Sequence, residues 1–407
     1  MPFHTPWSPT TALPVLLSTT ILIVCALYVL AYPPKLRPLA FALLCLPWTY
    51  SFTYQLSLTP WFTLNDTFGR MLYIWLAYMN YAFLIVRVDP VVSKKTEKTD
   101  GGPPGGGWRE RLRWAEKVLY TRHLRRQPQH GYDRLHFCTH HILKVLLLLS
   151  INYTWDHFID TPPSFSSMRA SFLRRLPSSF NRDELMTRGT MVWDSCIGDM
   201  LYFSSLYSLF AVLFVGILRL DEPSEWDMSL FGSLGDCWSV RRYWGVYWHD
   251  YINASFSTHV KIVTRRWLGM QRGRVGTRLV ENAVVFVVSG CMHSLVRFVQ
   301  TEGSGEIWTV AIWYGAQMLP IAIEGVVQHV WLKSGLVMGC KTWLSEGVVM
   351  RMERAVGYVW VFAWMFWSVP KYLHTRHAWE TENLRRKYPE LFGRVVEDLK
   401  VTVAAGD

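Results

Sequence analysis

No two cysteines in the sequence are spaced as CxxC. The seven present, Cys25, Cys45, Cys138, Cys196, Cys237, Cys291 and Cys340, are odd in number and scattered. That pattern supports neither a disulfide framework nor a cysteine zinc site. None of the thirteen histidines begins an HxxxD, and the chain has no GxSxG elbow, no HExxH and no Walker A loop. These absences exclude the soluble acyltransferase dyad, the α/β-hydrolase nucleophile, the zinc-protease site and the P-loop. His136, His140 and His141 fall at helical spacing with only neutral or basic neighbours, so a metal site is not indicated. The carboxylates read mostly as loop residues, which leaves a paired-acid mechanism without an anchor. The start, MPFHTPWSPTTALP, lacks the basic region and cleavage site of a signal peptide, so the apolar run beyond it reads as a retained anchor. No internal repeat is visible.

What the chain does have is apolar length. Half of its 407 residues are hydrophobic, an ordinary share for a soluble protein, so the distribution decides. Ala12 to Tyr32 runs 21 residues without a charge, enough to cross a hydrocarbon core of about 30 Å at about 1.5 Å per residue. Pro33 and Pro34 close that helix, since neither can donate a helical hydrogen bond. Further runs place membrane segments at about 12–32, 38–54, 69–86, 135–152, 198–218, 279–300, 307–332 and 355–370. The fourth is interrupted by His136, His140, His141 and Lys144. The fold class expected is all-α: a polytopic membrane protein of about 8 transmembrane helices. Its expected parts are membrane helices and a polar loop over 1–134, a membrane core over 135–370 and a polar tail over 371–407.

The net charge of +11 does not indicate nucleic acid, because the basic residues lie between apolar segments rather than in a separate domain. GGPPGGG at 101–107 is a flexible break, and Arg109, Arg111, Arg113, Lys117, Arg122, Arg125 and Arg126 follow it. That density assigns residues 87–134 to the cytosol, on an endoplasmic reticulum membrane. Asn65-Asp66-Thr67 would then be a lumenal glycosylation acceptor. Residues 219–278 are too polar to span, yet Trp238, Tyr243, Trp244, Tyr247 and Trp248 fall within eleven residues. Rings at 243/247 and 244/248 stand four apart, forming a wall on one helix face of an interfacial or re-entrant segment.

Two segments carry chemistry. His293 lies in VVFVVSGCMHSLVRF, deep in a spanning segment, where an ionisable group normally faces a polar cavity and marks function. Asn282, Ser289 and His293 are seven and four apart, on one face. The alternative is a histidine that only glues helices together. His249 ends the aromatic run Trp244-Gly245-Val246-Tyr247-Trp248-His249, whose rings can wall a channel for an apolar substrate. The alternative there is an interfacial aromatic belt.

LFGSLGDCWSVRRYWGVYWHDYI resembles the wax synthase-like signature, roughly PLFGSPW…SLRDFWGRRWHQ, and SGCMHSL resembles its second block. The blocks span residues 229–298, and the helix pattern is compatible from about 190 to 370. That domain belongs to the membrane-bound O-acyltransferase superfamily, and the chain is similar in look to its fungal terpenoid and meroterpenoid O-acetyltransferases. Tyr243 stands where a Phe is usual, and Val246-Tyr247 where a basic pair precedes the Trp. The resemblance implies acyl transfer from a coenzyme A thioester, acetyl-CoA in the fungal branch, to a hydrophobic alcohol in secondary metabolism, with membrane lipid as surroundings. His293 is then the general base and His249 the positioning or oxyanion-stabilising group. Ser289 or Asn282 would fix the His293 tautomer, and Trp244, Tyr247 and Trp248 would line the substrate. Arg241, Arg242, Arg265 and Arg266 would bind the CoA phosphates. A long-chain wax-ester synthase, a transporter and a scaffold without activity are the competing readings.

Overall fold

The computed structural model describes residues 7–90, 107–120, 133–158, 182–226, 229–248, 253–301, 303, 307–335 and 344–387. Among them every regular element is a helix, as the all-α expectation requires. The elements are α1 (Pro9–Ala31), α2 (Arg37–Thr53), α3 (Phe62–Met79, prolonged by a π turn at Asn80–Val86), α4 (Trp108–Leu119) and α5 (Arg134–Phe158). Then come α6 (Arg182–Trp193, running on through Asp199–Ala211 to a π turn at Val212–Ile217) and a short α7 (Val240–Arg242, continued by Tyr243–Tyr247). The segmented α8 covers Asn253–Ser257, Thr258–Lys261 and Ile262–Trp267. The last four are α9 (Val275–Gln300), α10 (Ile307–Ala316), α11 (Met318–Lys333) and α12 (Glu346–Lys387).

Among the described residues, six helical stretches are long and apolar enough to cross a membrane: Pro9–Ala31, Phe62–Val86, Arg134–Trp155, Glu184–Ile217, Val275–Gln300 and Trp308–Lys333. Two of the eight expected segments are helices that fall short of that standard. One is α2, with only 17 residues. The other is α12, which continues without a break past residue 370. Outward faces stay bare, with Leu13, Leu17 and Val24 of α1 each about 60% exposed, as lipid-facing positions are. Inward contacts use small polar groups: Ser18 donates to the Pro47 carbonyl at 2.9 Å, and Thr19 to Ser51 at 3.1 Å.

Charged residues displaced two expected boundaries. α3 begins at Phe62 rather than 69, because Asp66 forms an ion pair with Arg70 one turn away and accepts from Gln300 at 3.1 Å. α6 begins at Arg182 rather than 198, because Glu184 and Arg188 pair at 3.0 Å, one turn apart and almost fully buried. A carboxylate and a guanidinium four residues apart satisfy each other inside a helix, so neither has to stay in a loop. The glycosylation reading of Asn65 is overturned by the same packing. Its side chain is 2% exposed, donates to the carbonyls of Leu56 and Thr59, and accepts from the Thr59 amide.

Ion pairs also set which loops share an end of the bundle. Lys117 of α4 meets Glu225 at 2.5 Å, and Arg134 reaches Glu222 at 2.5 Å and the Val215 carbonyl at 2.9 Å. The basic α4 and the segment after α6 are therefore on one side. Gln300, at the far end of α9, bonds Asp66 near the start of α3, which marks the opposite side. α9 thus runs from the basic end toward the other. His293 sits about 27 Å along it from Val275 and about 10 Å short of Gln300.

Candidate active site

The SGCMH stretch is shaped by its glycine. A methyl group at Gly290 would come within 2.9 Å of the Ala311 Cα and carbonyl oxygen, so only glycine lets α9 and α10 approach this closely. The consequence falls one turn on. The half-buried His293 imidazole lies parallel to the Tyr314 ring, centroids 4.5 Å apart and planes within 9°. Tyr314 is in turn within electrostatic reach of Tyr372, Arg70, Asp199 and Asp66. His293, Arg297 and Gln300 follow one face of α9 at spacings of four and three, the last two buried.

The aromatic segment is held from several directions. The Ser239 hydroxyl accepts from the Arg242 amide at 3.1 Å and starts the helix. Glu324 of α11, 7% exposed, accepts from the amides of Val240 and Arg241 and from the Trp360 indole. The helix then widens, with the Trp248 amide donating to the Tyr243 carbonyl five residues back. That π turn brings residues five apart into register, so Tyr243 stacks on Trp248 at 25° besides its contact with Tyr247. The predicted ring wall is present, with Trp244 and Trp248 centroids 5.7 Å apart. Gly232 of the LFGS motif lies so close that a methyl group there would overlap the Val246 carbonyl, and its amide donates to the Tyr247 carbonyl at 2.9 Å. The segment packs into the main core with Trp313, Ile321, Val361 and Met365.

These two blocks, about fifty residues apart in sequence, meet through Trp244. Its ring touches Phe286 of α9 at 5.6 Å and Trp313 and Tyr314 of α10 at 6.1 Å each. Its indole donates to Gln317 at 3.2 Å, and the Trp364 indole of α12 donates to the same oxygen at 3.0 Å. Gln317, Glu324 and Gln328 are seven and four apart, so one face of α11 and its N-terminal junction holds the whole segment. Tyr314, Gln317 and Glu324 are absent from the sequence-derived site. A polar residue inside an apolar run was the available signal.

The remaining predicted residues divide. Tyr247 is 1% exposed and spends its hydroxyl on the Cys196 carbonyl at 2.9 Å, a packing role that removes it from the substrate set. Ser289 is 4% exposed and one turn before His293. Asn282 is exposed and eleven residues from His293, about 16 Å along the axis, so it cannot set that imidazole's tautomer. Arg265 grips Glu281 through both oxygens at 2.6 and 2.8 Å, and Arg242 bonds Asp236 at 2.6 Å, so both are committed to structural partners. Glu281, Glu324 and Glu184 also correct the reading of the carboxylates as loop residues. Arg241 donates to the neutral Gln328 at 2.7 Å and lines a groove of about 850 Å³ between α11 and α12, while Arg266 is exposed. His249 lies outside the described residues.

Comparison with known proteins places these features together. The model of the membrane-bound O-acyl transferase family matches residues 226–314, from just before the LFGS loop to Tyr314. The chain is 30% identical over 253 residues to acetyltransferase aurG of Calcarisporium arbuscula, covering 60% of this chain and 53% of that protein. It is 26% identical over 277 residues to acetyltransferase sirH of Emericella nidulans, covering 63% and 57%. It is 26% identical over 158 residues to acetyltransferase TRI7 of Fusarium sporotrichioides, covering 39% and 35%. The chain thus spans about half the length, or less, of these relatives. No solved structure matches it. The family resemblance read from the two sequence blocks is borne out.

Proposed function

We propose that the protein is a membrane O-acyltransferase that moves an acetyl group from acetyl-CoA to a hydroxyl of a hydrophobic, terpenoid-like alcohol. The observation that carries this reading is His293, a half-buried imidazole in a spanning helix, stacked on Tyr314, which Trp244 contacts in turn, inside the family-matched region. The names of the relatives support the acetyl donor.

A hydroxyl is a weak nucleophile until a base takes its proton. His293 removes that proton as the alcohol oxygen attacks the thioester carbonyl. The tetrahedral intermediate then collapses, the carbon–sulfur bond breaks, and the departing thiolate recovers the proton as free CoA. His249 stabilises the oxyanion on this reading, by its place in the family block. The apolar surroundings keep out water, which would otherwise hydrolyse the thioester. Arg241 and Arg266 remain the candidates for the CoA phosphates, since neither is tied to a carboxylate in the way Arg242 and Arg265 are. The basic end of α9 lies about 18 Å from His293 at Glu281, a separation that suits an elongated donor. The setting is the endoplasmic reticulum membrane with the basic loops in the cytosol, and residues 135–370 form the catalytic core.

The test is release of CoA from acetyl-CoA by purified protein with a panel of terpenoid alcohols, the ester being identified by mass spectrometry. Activity only with long-chain thioesters would return the chain to wax-ester synthesis, and no turnover with any thioester would remove the acyltransferase reading.

A further inference from the structure

Between α10 and α11 the helix is interrupted, and Pro320 is the local cause: it has no N–H to offer the Ala316 carbonyl one turn back. In an unbroken helix the Gln317 amide would bond the Trp313 carbonyl. Here it bonds the Tyr314 carbonyl at 3.2 Å. The released Trp313 carbonyl accepts instead from the Gln317 side-chain nitrogen at 3.1 Å. That fixes the amide's orientation and points its oxygen at two indoles, Trp244 of α7 and Trp364 of α12. Indoles can only donate, so the atom facing them must be the oxygen, and its two lone pairs are both used. Gln317 is 0% exposed, so neither indole can exchange it for water without opening the core.

We propose that Gln317 is the positioning residue that sets the acceptor-binding wall, acting through Trp244; this rests on the acyltransferase reading. Trp244 touches Tyr314, which stacks on His293, so the angle of the Trp244 ring determines the space left beside the base. Removing the amide oxygen strands two indole N–H groups in a dry site. The rings then turn toward other acceptors, and the slot changes shape while His293 and Tyr314, held by the Gly290 crossing, stay in place. The acceptor should feel this more than the donor.

The experiment uses the full-length protein in detergent. The acceptor is whichever alcohol the wild type acetylates fastest from a panel including cedrol, a fused tricyclic alcohol, and farnesol, a linear one. Gln317→Leu is expected to raise the acceptor KM about tenfold while the acetyl-CoA KM moves less than about twofold. Trp244→Phe keeps an aromatic ring, though a smaller one, loses the N–H, and should do the same, with the double variant no worse than either single one. Gln317→Glu should restore the acceptor KM. A buried, protonated carboxyl keeps a carbonyl oxygen for the indoles and a hydroxyl for Trp313. An unchanged acceptor KM in Gln317→Leu, a parallel rise in both KM values, or a failed rescue by Gln317→Glu in well-folded protein overturns the inference alone. A wild type that acetylates no alcohol overturns the functional reading and this inference with it.

Discussion

His293 and Tyr314 lie ring to ring at 4.5 Å because Gly290, three residues before the histidine, presents no side chain to Ala311. The helix crossing and the site geometry are therefore one feature. Gly290→Val should destabilise the protein by about 1–3 kcal/mol, as overpacking of a tight contact does, and abolish turnover. Gly325→Ala, on α11 where an added methyl group meets nothing within 4 Å, should leave turnover unchanged and thermal stability equal or slightly higher. Thermal unfolding and CoA release on the same preparations check both, and equal tolerance at the two positions would contradict the account.

The arginines separate by partner. Arg265→Ala leaves the Glu281 carboxylate on α9 without its bidentate partner, so the expected loss is in folded yield and melting temperature. Arg241→Ala and Arg266→Ala should leave stability unchanged and raise the acetyl-CoA KM severalfold, an effect that added salt would imitate. Steady-state kinetics at two salt concentrations distinguish the groups. A donor KM altered only by Arg265→Ala would reverse the assignment.

Sidedness follows from the Lys117–Glu225 pair. Cysteines introduced at Arg109 and Arg266, both exposed, should react with an impermeant maleimide from the cytosolic face of sealed microsomes. A cysteine at Trp61, also exposed, should react only after permeabilisation. The native Cys237 thiol, just before α7, will not interfere, because burial pushes its pKa up to about 11 and leaves it protonated. Opposite labelling of Arg109→Cys and Arg266→Cys would undo the shared CoA-side arrangement.

Donor length is the next expected outcome. The wall made by Trp244, Trp313 and Tyr314 is rigid and aromatic, a shape suited to fused rings. With one alcohol fixed, kcat/KM should fall from acetyl to butanoyl to palmitoyl thioester. One methylene is worth about 1–3 kcal/mol in an apolar pocket, so propionyl should fall about tenfold or more below acetyl and palmitoyl much further. Palmitoyl equal to acetyl would reject the acetyl preference.

The helical membrane architecture and the two chemical blocks are legible in the sequence because each rests on local spacing. Trp244 and Trp248 recur at one helical turn, and His293 is an ionisable group in an apolar run. What is not legible depends on pairing. Asp66 with Arg70 and Glu184 with Arg188 read as loop residues until each carboxylate is seen beside its guanidinium. Gln317 and Glu324 look like stray polar residues in QMLPIAIEGVVQH, because their indole and backbone partners come from α7 and α12. Asn282 fails for the opposite reason. A shared helix face fixes direction but not distance along the axis.

The central claim is that His293 is the base in acyl transfer, and the most direct measurement is kcat of His293→Ala with acetyl-CoA and the accepted alcohol both saturating. The expected result is a loss of about 10²-fold or more, with membrane insertion, monodispersity and the acetyl-CoA KM close to wild type. A purified, folded His293→Ala protein that turns over at near the wild-type rate would contradict the account.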